Sequence, residues 1–214
     1  MFEDRKDAGQ QLGIALEKYK GTDAVALAIP RGGVEVGFYA AQHLRMPLSV
    51  IVVRKLPFPD NPEAGFGAIA EDGSIYLIKR FSGQIPSKIK NEIIEKQKIE
   101  IERRKKIFRG TELLPELSGR TVIIVDDGIA MGSTTQAAVM LCRNKNAGRI
   151  VAAAPVASLS AAKELSRTAD EAIILERPVI FFAVAEYYRI WYDVPDEEVL
   201  GFLKKAESSN GLKR

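Results

Sequence analysis

Two adjacent carboxylates, Asp126 and Asp127, end a short apolar run, Val122 to Val125, and two glycines, Gly128 and Gly132, follow them closely. Ser133 and Thr134 then open a segment of helical pattern that runs to about Lys145. The order of residue types is that of a buried strand, an acid pair, a tight turn and a helix start. Carboxylates at the C-terminal edge of a strand accept hydrogen bonds from vicinal sugar hydroxyls. A glycine turn lets backbone N–H groups approach a phosphate, and the helix N-terminus behind it favours an anion. The chemistry this run suits is the binding of a phosphorylated sugar.

The competing reading is an ordinary strand–turn–helix with a capping serine and a solvated acid pair, and the length and order of the run argue against it. A phospho-accepting receiver domain also pairs acids at a strand end, but at its first strand. Here the pair follows about half the chain, and a phosphate loop comes after it. A second segment, Ile29, Pro30, Arg31, Gly32 and Gly33, sits between a strand and a helix, with two glycines that permit unusual backbone shapes. Its arginine adds a bidentate charge for phosphate oxygens. A third, Val53, Arg54 and Lys55, ends a strand just before a stretch rich in proline and glycine.

The elements that position these residues alternate in type, which predicts a parallel sheet covered by helices on both faces. Helices are expected at 7–19, 34–44, 87–108, 133–145, 159–168 and from Pro195 onward, and strands at 24–29, 48–53, 122–125, 149–154 and 171–175. Residues 56–67 carry three prolines and two glycines without periodicity and read as a long loop. Residues 68–78 read as a hairpin turning at Asp72 and Gly73, which makes Glu71 and Asp72 turn residues rather than catalysts. In the helix at 87–108, Ile94, Ile101 and Phe108 give one apolar stripe, and Arg103, Arg104, Lys105 and Lys106 complement the dipole of its last turns. The tail from Ser208 to Arg214 is expected to fray.

At 214 residues and 46% hydrophobic, the chain can bury one sizeable core. A net charge of +3, with no basic run interleaved with aromatics, gives no indication of nucleic acid. The single cysteine, Cys142, reads as a packing residue and fits a reducing cytoplasm. His43, the only histidine, has no partners for a zinc site and is no candidate general base. The charged start, Met1 to Asp7, has no apolar run behind it, so neither a signal peptide nor a membrane span is expected.

The run from Thr121 to Thr135 resembles the 5-phosphoribosyl-1-diphosphate (PRPP) signature of type I phosphoribosyltransferases, and Arg31, Gly32 and Gly33 resemble that family's diphosphate loop. With the N-terminal segment from Phe2 to Gly9, the Val-Arg-Lys run, the Ala-Glu-Asp-Gly turn and the late aromatic run, nearly the whole chain is similar to one prokaryotic subgroup. The resemblance implies a single domain of type I phosphoribosyltransferase fold, with a lid or hairpin at about 55–80. It also implies a small hood made of the N-terminal segment and about 176–195. The implied reaction moves 5-phosphoribose from PRPP to a nucleobase-like acceptor and releases diphosphate. Asp126 and Asp127 would hold the ribose hydroxyls, at a solvent-facing strand end where removing their charge costs little stability. Gly128, Ala130, Met131, Gly132, Ser133 and Thr134 would grip the 5-phosphate. Arg31, Gly32 and Gly33, with Arg54 and Lys55, would bind diphosphate, although Arg54 and Lys55 could equally solvate a strand end.

By the same resemblance, Mg²⁺ is held mainly by substrate oxygens and water, with Asp126 and Asp127 as direct or water-mediated ligands. A homodimer is implied, as is a cis peptide at Pro30–Arg31. Phe181, Phe182, Tyr187, Tyr188, Trp191 and Tyr192 crowd into twelve residues. Phe181, Phe182 and Tyr187 would border the base pocket, while core or dimer interface is an equal reading of the cluster. Ala130 stands where 6-oxopurine enzymes of the family place an aspartate base, which leaves Glu63 of the lid as a substitute and makes hypoxanthine and guanine poor acceptors. Two other functions use the same donor site: a PRPP-sensing regulator without turnover, and a hydrolase or phosphorylase acting on a phosphoribosyl substrate. Assays of diphosphate release against a panel of bases separate the three.

Overall fold

The structure, a computed structural model, describes residues 1–81 and 83–209. Helix α1 (Arg5–Ala15) begins at Asp4, whose carboxylate accepts the Asp7 N–H at 2.8 Å. A short acid suits that position because the first helical amides have no partner within the helix. The helix is shorter than the expected 7–19, and Glu17–Tyr19 form a separate 3-10 turn. Strand β1 (Val25–Ala28), all four residues buried, leads to α2 (Gly32–Leu44) and β2 (Leu48–Val50).

Later in the chain come β6 (Thr121–Val125), α4 (Ser133–Asn144), β7 (Arg149–Val156), α5 (Leu159–Thr168), β8 (Glu171–Glu176) and α6 (Asp196–Ser209). The five parallel strands run in the order β2-β1-β6-β7-β8. The three inner strands β1, β6 and β7 are buried on both faces and read as continuous apolar runs, which is why they were legible. One face of the sheet packs Leu12, Leu16, Val36 and Leu44 of α1 and α2 against Ile123 and Val151. The other packs Ala137, Leu141 and Leu165 of α4 and α5 against Ile124 and Ile150. The strand order reverses between β1 and β6, with Ala28 opposite Val125. The loops after these strands leave the sheet side by side there, opening the crevice where folds of this kind bind ligands.

The region expected as a long loop is a second sheet. Strands β3 (Val53–Phe58), β4 (Asn61–Ala70) and β5 (Ile75–Leu77) pair antiparallel. Pro57 falls where the β3–β4 register shifts, a place where a strand tolerates a residue without an N–H. Leu56 and Phe66 are buried beneath α3 (Ser87–Arg109), against its Ile101. The apolar stripe of α3 forms as expected but serves two partners: Ile101 packs on the second sheet, and Phe108 packs with Val34, Val199 and Leu203 of α2 and α6. At the β4–β5 turn, Asp72 accepts the Ser74 N–H and hydroxyl, as a turn residue should. Glu71 does more, pairing with Arg109 and accepting the Val52 N–H at 3.0 Å.

Residues 210–214 of the expected frayed tail lie outside the described residues, while Ser208 and Ser209 close α6. Among the described residues, no helix is long and apolar enough to cross a membrane.

Candidate active site

Asp126 and Asp127 follow the last residue of β6, and the loop after β1 lies directly against them. The Ile29 N–H donates to the Val125 carbonyl at 2.8 Å, and the Pro30–Arg31 peptide is cis. A Cβ on Gly32 would stand 1.8 Å from Asp127 Oδ2 and 2.8 Å from Arg5 Nε, and one on Gly33 would stand 2.9 Å from the Val125 carbonyl oxygen. The two glycines are therefore required by the approach of this loop to the acids. Two segments far apart in sequence meet at the point where the strand order reverses.

Arg5 is the residue that sequence reasoning missed. It is 4% exposed and donates from Nε to Asp127 Oδ2 at 2.9 Å and from a terminal nitrogen to the Tyr192 carbonyl at 3.0 Å. Its guanidinium lies 3.9 Å from the centre of the Trp191 ring. The Tyr188 hydroxyl donates to the Asp127 carbonyl at 2.5 Å. Asp127 is therefore held by the protein on several sides, and the expectation that removing the charge of both acids costs little stability is corrected for this one. With the helix expected from residue 7, no local signal pointed to Arg5; the structure starts α1 at Arg5, a cation in a first turn where the dipole opposes it and a compensating partner is needed.

Burial raises the proton affinity of both acids. The neighbouring Asp127 charge adds to the effect on Asp126, while Arg5 opposes it on Asp127. Asp126 Oδ1 accepts the Asp127 N–H at 3.0 Å. Nearby on α2, buried Glu35 is also pushed up by burial, and its Oε2 has no hydrogen-bond partner among the described residues.

The segment from Gly128 to Thr134 is tied down from one side. The Ile129 N–H donates to the Val156 carbonyl and the Ile129 carbonyl accepts from Ser158, both at 2.9 Å, while the Ser158 hydroxyl donates to the Ala130 carbonyl at 2.6 Å. Gly132 takes a left-handed φ of +75°, and α4 begins after it with no side chain capping its first amides. That open end is the anion-favouring feature expected of the loop. Ser133 is buried, Thr134 half-buried and Met131 exposed. Thr135, not singled out in the sequence, is buried with its hydroxyl unpartnered among the described residues.

The basic residues divide. Arg31 is half-exposed, with a terminal nitrogen 3.9 Å from Asp196 Oδ1. Arg54 turns toward α3, donating from Nε to Gln97 Oε1 at 3.0 Å, and burial followed by the like charge of Arg104 lowers its proton affinity. Lys55, the next residue along the strand, projects to the opposite face, along Gly65 of β4. The expected role of the α3 cluster as a dipole complement is incomplete. Arg103 and Arg104 fold back onto Glu100, and Arg103 faces Asp196.

Of the aromatics, Phe181 and Tyr187 stack at 5.5 Å with 15° between planes, and Phe182 is exposed. Tyr188, Trp191 and Tyr192 instead serve Arg5 and the N-terminal segment. Backbone bonds join Phe2 to Tyr187 at 2.7 Å and to Arg189 at 2.9 Å, and Phe2 packs with Tyr188. Val184 lies close enough to Gly128 that a Cβ there would come within 2.2 Å of it, which sets this turn on the loop after β6.

Cys142 is buried in the core and its thiol is pushed up to about 12 by burial, so it packs rather than reacts. His43 meets Glu17 at 2.5 Å on the surface, away from the acids. The side chain of Glu63 lies outside the described residues. Among those described, no group of three or more histidine, cysteine or acidic residues could hold a metal ion.

The phosphoribosyl transferase domain matches residues 7–190. Two Mycobacterium tuberculosis proteins, provisionally named as phosphoribosyl transferases, are 41% identical over 210 residues covering 96% of this chain. The chain spans about half the length of these curated relatives, 47%. A Thermus thermophilus crystal structure superposes with a TM-score of 0.80 at 33% identity, covering 96% of this chain and 98% of that one. An Aquifex aeolicus protein, 15% identical with a TM-score of 0.50 over 81% of this chain and 74% of its own, shares the fold.

Proposed function

This chain belongs to the phosphoribosyl transferase family, and from that premise we propose that it moves 5-phosphoribose from PRPP to a nitrogen of a nucleobase-like acceptor, releasing diphosphate. The observation that carries this reading is the meeting of the Asp126–Asp127 pair, the Arg31 loop and the uncapped start of α4 in one crevice. Those three features match the three parts of the donor: ribose hydroxyls, diphosphate and 5-phosphate.

In this reading Asp126 accepts the ribose hydroxyls and stabilises positive charge developing at the anomeric carbon. Asp127, held by Arg5, fixes the position of its neighbour. The backbone from Ala130 to Thr134, with the hydroxyls of Ser133 and Thr134, binds the 5-phosphate. Arg31 and Arg54 neutralise the departing diphosphate. Two adjacent carboxylates, one already paired with an arginine, fit a Mg²⁺ ion bound mainly through substrate oxygens and water, with Asp126 as the protein's contribution. Such an ion would add charge neutralisation on the diphosphate. Positioning and electrostatics supply most of the rate, with no covalent work for the protein.

Ala130 can take no proton, and its carbonyl is occupied by Ser158. The acceptor nitrogen is therefore nucleophilic without help from this position, and hypoxanthine and guanine are expected to be poor acceptors. The test is diphosphate release from PRPP with Mg²⁺ across a panel of bases. Turnover is expected with a subset that excludes those two. Absence of PRPP binding would overturn the reading, and efficient use of hypoxanthine or guanine would overturn the acceptor assignment.

A further inference from the structure

Beyond the loop after β1, the last turns of α3 bring guanidiniums to the same corner. Arg31 and Arg103 flank a single carboxylate, each with a terminal nitrogen 3.9 Å from a different oxygen of Asp196. Both separations exceed a hydrogen bond, although guanidinium and carboxylate forks pair closely when free to do so. Arg104 is 12% exposed and shares Glu100 with Arg103, at 2.9 Å and 2.7 Å. Arg54, half-buried beside them, has the neutral Gln97 as its partner. Residues 97, 100 and 104 lie on one helical face, so this is a constructed array and not a random surface run. Among these groups four guanidiniums meet two carboxylates, a surplus of positive charge in a partly desolvated corner. Such a surplus is unfavourable by itself and is relieved by a polyanion whose oxygens match planar forks.

We propose that α3 completes the diphosphate site: Arg103 binds the diphosphate of the donor together with Arg31, and Asp196 is the internal counter-ion that the diphosphate displaces. This rests on the phosphoribosyl-transfer reading and adds to it residues from two helices outside the loop. Asp196 weakens binding of the free anion and occupies the corner when no donor is present. After transfer it competes with diphosphate for both arginines and favours release.

The experiment is isothermal titration of the full chain with PRPP, inorganic diphosphate and ribose 5-phosphate, in wild type, Arg31→Ala, Arg103→Ala and Asp196→Asn. Arg103 is half-exposed, so its truncation leaves the core intact. Arg103→Ala is expected to weaken PRPP and diphosphate about tenfold or more, with ribose 5-phosphate within about twofold of wild type. Asp196→Asn is expected to tighten diphosphate several-fold. The proposal is overturned if Arg31→Ala weakens diphosphate while the Arg103 and Asp196 variants do not change it. It is also overturned if Arg103→Ala weakens ribose 5-phosphate equally, or free diphosphate but not PRPP. If wild type binds none of the three ligands, the phosphoribosyl-transfer reading itself falls.

Discussion

The two sides of the crevice are built differently. On the β6 side Asp127 is locked by a buried arginine, a tyrosine hydroxyl and the close backbone of Gly32, with hydrogen bonds between 2.5 and 2.9 Å. On the α3 side Arg31 and Arg103 each stand 3.9 Å from the half-exposed Asp196, and the close pair of Arg103 is Glu100 on its own helix, at 2.7 Å. The first side is preorganised and costs little to organise when a sugar arrives. The second holds charge in reserve and is completed by whatever anion enters. A rigid acid pair and a loose arginine corner suit a donor whose ribose must be placed accurately while its diphosphate must leave.

The comparison breaks first at the acids. Asp126→Asn is expected to lower kcat/KM for transfer by about a hundredfold or more, the scale of losing a key electrostatic group in a preorganised site. Asp126 is half-buried and has no ion pair of its own among the described residues, so removing its charge is expected to leave unfolding stability at neutral pH unchanged or raised; a marked loss in denaturant titrations would show that the acid has a structural partner. Asp127→Asn differs. It strips the buried Arg5 of its charged partner and is expected to cost about 3 kcal/mol of stability in addition to activity. Equal stabilities of the two variants in urea melts would dissolve the contrast between the acids.

Tyr188→Phe removes one hydroxyl from the Asp127 carbonyl and is expected to cost about 1 kcal/mol in the same melts, with a smaller effect on turnover. The smallest effect belongs to the loose side. Hydrogen bonds from Arg103, followed by those from Arg104, outweigh burial and hold the Glu100 carboxyl down to about 2. A depressed acid stabilises the fold above its unfolded value and loses that contribution as pH falls toward its folded one. Wild type should therefore lose slightly more stability than Glu100→Gln between the ordinary glutamate range and pH 2, and parallel acid-unfolding curves would contradict this.

Much of the architecture was legible because its signals are local. Val122 to Val125 form a continuous apolar run because a parallel strand is buried on both faces, and Asp126 to Thr134 announce their turn and helix start by residue type. Residues 56–67 misled because prolines break the alternation that marks a strand, while the burial that holds Leu56 and Phe66 is supplied by Ile101, far along the chain. Nothing local to that segment announces the helix that covers it.

The sequence by itself determined the acid pair, the Arg31-Gly32-Gly33 loop, the helix start at Ser133 and the absence of an acid at position 130. These are short-range patterns, and a short stretch of chain suffices to state them. Only the tertiary structure decided which charges meet. Arg5 reaches Asp127 across 122 residues of chain, and the Tyr192 carbonyl across 187. Arg103 and Arg31 meet through an aspartate on the last helix. The partner of a long charged side chain is chosen by the packing of the elements that carry it, because the charge itself is satisfied by any opposite group that the fold places within reach.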